Sequence, residues 1–143
     1  SRARSFAQKR REASGKHSPM IDPAGAPALW NDTRGCPVVR LVYQARSLWE
    51  RAAGLLGRRP LAGDEALWLE PCGSIHTWGM AYAIDVVFLD RDHRVLAVAR
   101  AVQPWKIAWA PRGTRVAVEL RAGCARTIRP GDRLRRRSSA EPD

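Results

Sequence analysis

Apolar and polar positions alternate most cleanly in "TRVAVELR" (114–121), where Val116, Val118 and Leu120 are separated by Arg115, Ala117, Glu119 and Arg121. A period of two predicts a strand with one face in the core and the other in water. "IDVVFLD" (84–90) and "RVLAVARAV" (94–102) are apolar runs joined by the short turn "RDH" (91–93), which predicts an antiparallel hairpin. "VVRLVY" (38–43) predicts a first strand, and "EALWLEP" (65–71) a strand ended by proline. "RPGDRL" (129–134) is a proline-then-glycine turn into a last short strand, with Asp132 placed to accept nearby backbone N–H groups.

One stretch changes period. Ser47 and Glu50 have capping-box spacing, in which each side chain satisfies the other residue's backbone N–H. Leu48, Ala52, Leu55 and Leu56 then form one helical stripe, Gly57 suits a left-handed cap, and Pro60 blocks continuation. The strands and this helix do not alternate as a parallel α/β fold requires. The expected fold is mainly β (α+β): a small antiparallel, strongly curved sheet or partly closed barrel with one N-terminal helix packed against it. Residues 36–134 form the expected single domain. Residues 1–35, punctuated by Pro19, Pro23, Gly25, Pro27 and Gly35, are expected to be a disordered or loosely attached basic extension, and 135–143 a disordered tail.

At 143 residues and 45% hydrophobic composition, the chain can bury one core. No apolar run approaches the roughly 20 residues that span a bilayer. The opening "SRARSFAQKRREASGKHSPM" has no apolar centre, so it is not a secretory signal as it stands, and Met20 is a second candidate start. A cytoplasmic location is expected, with a periplasmic one, its export signal missing from this chain, as the alternative. The net charge of +11 attracts nucleic acid or anionic membranes nonspecifically. Only Lys9, Lys16 and Lys106 are lysines, an arginine bias typical of GC-rich coding. The charge is therefore read as a solvated surface, and nucleic acid is not an expected partner. Cys36, Cys72 and Cys124 lack the spacing of a zinc knuckle or redox pair and read as small apolar fillers.

The segments "GLLGRRPL", "EALWLEPCGSIHTWGM", "IDVVFLDRDHRVLAV", "VAVELRAG" and "RPGDRL" occur in that order. Together they resemble the bacterial and archaeal domain of unknown function 192 family over roughly residues 40–134. The resemblance implies a compact β-rich domain of unassigned biochemistry. Many relatives carry an export signal or lipoprotein leader. Many also read Trp-Met-x-Asn-Thr followed by Pro-Leu-Asp, where this chain has His76-Thr77-Trp78-Gly79-Met80 and then Ala83-Ile84-Asp85. Asp85 matches, the asparagine has no counterpart, and His93 stands where relatives often have a turn glycine.

Candidate chemistry gathers in "PCGSIHTWGM" (71–80). Cys72 beside His76 suits an activated thiolate, with Asp85 orienting the imidazole as in a triad. The same three residues offer mixed metal ligands, but without zinc spacing, and no metal or cofactor is expected. Against both stands a histidine hydrogen-bonded at a strand end. Trp78, Met80 and Tyr82 alternate and would share one strand face. Trp105 and Trp109 in "QPWKIAWAP" are expected to cover one end of the sheet, partly buried. Glu119, on the expected wet face, would join His76 and Asp85 in one polar patch. The expected function is a monomeric binding module for a small molecule or protein partner, using His76, Thr77, Trp78, Met80, Asp85 and Glu119. The alternatives are a thiol-dependent hydrolase or transferase using Cys72 and His76, and a nucleic-acid-binding module using surface arginines.

Overall fold

The computed structural model describes residues 27–45, 60–77 and 80–138, and every described element is a strand. They are β1 (Ala28–Asn31), β2 (Cys36–Val39), β3 (Leu41–Ala45), β4 (Glu65–Leu69), β5 (Ile75–His76), β6 (Ile84–Leu89), β7 (Val95–Val102), β8 (Ile107–Ala108), β9 (Val116–Arg121) and β10 (Leu134–Arg137). The helix expected from Ser47 onward lies outside the described residues. The protein is mainly β, and its described strands form a five-stranded sheet, β3-β4-β9-β6-β7, a three-stranded sheet, β10-β1-β2, and a two-stranded ribbon, β5-β8. No closed ring of strands is present among the described residues.

β9 is the middle strand because its apolar run is buried on both sides. Val116, Val118 and Leu120 point into one apolar cluster with Val87 and Leu89 of β6 and Ala66 and Trp68 of β4. The three-stranded sheet closes that cluster with Leu29, Val39 and Leu134. The opposite residues, Ala117 of β9, Ile84, Val86 and Phe88 of β6, and Leu67 and Leu69 of β4, belong to a second cluster. Ile75 of β5 and Ala108 of β8 cover this second face together with Leu61 and Met80. Each fully buried Val, Leu, Ile or Phe contributes about 1.5–3 kcal/mol. Two apolar layers on one sheet explain how so short a chain holds itself together.

Several expectations are corrected by this arrangement. The wet face expected for 114–121 is absent: Ala117 and Glu119 are both 0% exposed, because the β5–β8 ribbon gives the sheet a second cover. The strand expected over 38–43 divides at Arg40, so that β2 serves one sheet and β3 the other. Among the described strands the antiparallel pattern has one exception, since β3 pairs parallel to β4. The connection through residues 46–64 is long enough for the crossover that parallel pairing requires. Strands also extend past both edges of 36–134: β1 precedes it, and β10 runs to Arg137. Met80 and Tyr82 follow β5 in a bend, outside any strand, while Trp78 lies outside the described residues.

The 84–102 hairpin forms as its pattern predicts, with β6 antiparallel to β7. Its turn is held by the Asp90 carboxylate, whose Oδ1 accepts the N–H groups of Asp92 at 2.8 Å and Arg94 at 3.0 Å. His93 takes the left-handed position, φ +64°, that glycine fills most easily. Its ring meets the buried Trp68 indole edge-on at 4.9 Å, on whose π-face the Arg136 guanidinium sits 4.3 Å from the centroid.

Candidate functional site: the β5–β8 ribbon

Ile75, His76 and Thr77 are laid against the arm 103–111 by backbone pairing, Ser74 joins it through its hydroxyl, and Cys72 is tied to Arg115 just beyond it. The Cys72 N–H donates to the Arg115 carbonyl at 2.9 Å, and Ser74 Oγ accepts the Ala110 N–H at 3.1 Å. Ile75 opposes Ala108 and His76 opposes Ile107. Directly opposed residues share a face. Ile75 and Ala108 therefore point into the second cluster, while His76 lies beside Ile107 on the outer side.

Thr77 is the clamp of the ribbon, and it is completely buried. Its N–H donates to the Lys106 carbonyl at 2.8 Å, and its carbonyl accepts the N–H groups of Trp105 at 3.0 Å and Met80 at 3.2 Å. Its hydroxyl donates to the Gln103 carbonyl at 2.6 Å and accepts the Lys106 N–H at 2.9 Å. This network fixes a tight turn in which Trp105 adopts φ +62°, a conformation that bulky residues rarely take.

The turn projects side chains outward. Trp105 is 67% exposed, Ile107 39% and Trp109 76%, and these are the exposed large apolar residues among those described. The expectation that both indoles would be partly buried over a sheet end is overturned. Ala108, a small residue, fills the inward position, so the large groups at 105, 107 and 109 are left in solvent. Lys106 and Arg112 are exposed beside them. No Asp or Glu occurs from His93 to Val118 or from Pro71 to Ile84, so the ribbon carries cations and apolar groups without a carboxylate of its own.

The remaining candidates do not converge. Asp85 opposes Leu120, and Glu119 opposes Val86. The two acids therefore point to opposite faces of the same sheet, and the polar patch expected of His76, Asp85 and Glu119 is divided. Asp85 is 1% exposed. Its Oδ1 accepts the Ala101 N–H at 2.8 Å, and its Oδ2 accepts those of Gly123 and Ala125 at 3.0 Å each. It fixes the bulge at Ala101, φ +49°, and the turn after β9. That work places Asp85 beyond any role in orienting His76, because Ile84 and Val86 of its own strand, not Asp85, face the ribbon's cluster. Cys72 is half-buried, packed against the second cluster, and its Sγ donates to the Gly73 carbonyl at 3.3 Å. An open hollow of about 680 Å³ lies elsewhere, lined by Glu70, Asp90, Arg91, Asp92, Gly113, Thr114 and Arg115, and takes in none of the 72–85 segment.

Of the residues expected at the site, Thr77 holds the ribbon's turn together. Ile107 is not among those expected residues, and Trp105 and Trp109 are expected there only as cover. The signal available was the spacing of three large apolar residues at 105, 107 and 109, bounded by Pro104 and Pro111, in a region empty of acids.

Comparison with known proteins agrees with this fold. Residues 31–136 match the model of the domain of unknown function 192 family, described as an uncharacterized ACR. The UPF0127 protein PH1112 of Pyrococcus horikoshii is 33% identical over 96 residues, 64% of this chain and 83% of the relative. A crystal structure of a protein of unknown function from Novosphingobium aromaticivorans superimposes with a TM-score of 0.68 at 24% identity. The superposition covers 86% of this chain and 96% of that one, a likeness of fold.

Proposed function

The chain belongs to the domain of unknown function 192 family, a family of uncharacterised function, and from its own surface we propose that it is a binding module. Its recognition surface is the 72–85 segment with the 103–111 arm clamped to it. The observation that carries this reading is the concentration of exposed large apolar side chains, Trp105, Ile107 and Trp109, on one short arm next to His76. Water disfavours such a cluster, and contiguous exposed apolar surface marks interaction sites. The backbone conformation at Trp105 adds to the argument, because strained residues gather at recognition and switch positions.

A thiol-dependent hydrolase or transferase is supported less well. The triad reading needs Asp85, whose carboxylate is engaged with three backbone N–H groups on the far face of β6. A thermal-shift screen of a metabolite library tests the binding reading, since a ligand specific to the folded state raises apparent stability by mass action. A compound that raises the melting temperature of the wild type, and not that of Trp105→Ser/Trp109→Ser, supports it. Equal shifts in both proteins would place binding elsewhere.

A further inference from the structure

We propose that the partner of the β5–β8 ribbon is the surface of an anionic phospholipid bilayer. This assignment rests on the reading of the ribbon as the recognition surface and gives that surface its occupant.

Three features point to lipid. The first is the chemistry of the exposed groups. An indole has an apolar body and a polar N–H, and it settles at the boundary between headgroups and acyl chains. Two indoles with Ile107 between them form an apolar tip that enters this boundary. The second is charge. Lys106 and Arg112 are exposed beside the tip, and the whole chain carries +11. Basic residues near an anionic leaflet are attracted to it. The third is mounting. The inward side of the ribbon is packed through Ile75 and Ala108, and Thr77 fixes the turn, so the tip is rigid and loses little conformational freedom on docking. A single-stranded nucleic acid would use stacking aromatics within a cationic groove that follows its backbone. Here the indoles stand on a protruding arm with an aliphatic side chain between them.

The test is co-sedimentation of the full chain with vesicles of phosphatidylcholine alone and of phosphatidylcholine mixed with phosphatidylglycerol. The expected result is association with the anionic vesicles that weakens with salt, and little with the neutral ones. Brominated acyl chains should quench tryptophan fluorescence. Trp105→Ser/Trp109→Ser should lower vesicle partitioning by about tenfold or more while its circular dichroism and melting match the wild type. Lys106→Glu/Arg112→Glu should weaken association with the indoles intact.

Absence of association with anionic vesicles at low salt would overturn the proposal. So would association that persists unchanged without both indoles, which would assign it to net charge alone. Binding of a single-stranded oligonucleotide through these indoles, without vesicle binding, would replace lipid by nucleic acid. If vesicles fail but a soluble compound shifts the melting of the wild type alone, the binding reading stands and the lipid assignment falls. If neither acts, both fall.

Discussion

Thr77 and Lys106 bond each other in both directions, through the Thr77 N–H to the Lys106 carbonyl at 2.8 Å and through the Lys106 N–H to Thr77 Oγ1 at 2.9 Å. The second bond needs a hydroxyl. Thr77→Val keeps the shape and removes it, stranding the Lys106 N–H and the Gln103 carbonyl. The expected cost is about 1–3 kcal/mol in urea denaturation. Thr77→Ser should recover most of that loss, because the bonding atom is retained.

Asp85 is expected to matter for stability and not for chemistry. Asp85→Asn replaces one acceptor oxygen by an amide that faces backbone N–H groups, and charge-assisted bonds are the stronger kind. A loss of roughly 3 kcal/mol is expected from thermal or urea denaturation. A variant as stable as the wild type would remove Asp85 from the framework.

The Asp132 carboxylate governs acid stability. Burial by itself raises its pKa, but bonds from Arg34, Asn31 and the Arg129 N–H outweigh burial and hold it below the ordinary carboxylate value. A group whose folded pKa is depressed stabilises fully above its unfolded pKa, about 4, and that contribution is lost as pH falls through the folded value. Asp132→Asn should therefore be less stable than the wild type at neutral pH, and the gap should narrow on acidification below about pH 4. Denaturation midpoints over a pH series measure it.

His93 holds a glycine-like conformation and compensates with its ring. His93→Gly relieves about 1 kcal/mol of backbone strain and gives up an edge contact with Trp68 of about 0.5–1.5 kcal/mol. Its stability should lie close to that of the wild type. His93→Val keeps the strain, adds a β-branch and loses the contact, so it should be less stable by about 1–3 kcal/mol. Urea midpoints of the two variants test this order.

Alternation was enough to locate β9, and apolar runs joined by a short turn were enough to locate β6 and β7. It did not show that Glu119 is buried. The polar positions of β9 look alike whether water or a second apolar layer lies above them, and that layer comes from residues 61, 75, 80 and 108, distant in sequence. The Asp132 turn was legible because Pro130 and Gly131 are neighbours, Gly131 has φ +92°, and the carboxylate takes the nearby Arg129 N–H as expected. Asp85 misled because its N–H donors come from 101, 123 and 125, and no local pattern connects them. The outward indoles were missed for a related reason. A tryptophan is usually read as core, and its direction here is set by the Thr77 network across the ribbon.

β1 lies between β2 and β10; its four residues pair with β10, and three of them also pair with β2. A truncation that discarded everything before residue 36 as dispensable leader would cut out the central rung of a sheet. Leu29 would vanish from beneath the main layer, Asp132 would lose Asn31 and Arg34, and two raw edges would be exposed to any passing strand. Such a trimmed protein should aggregate, for want of a strand that its composition disguises as a tail.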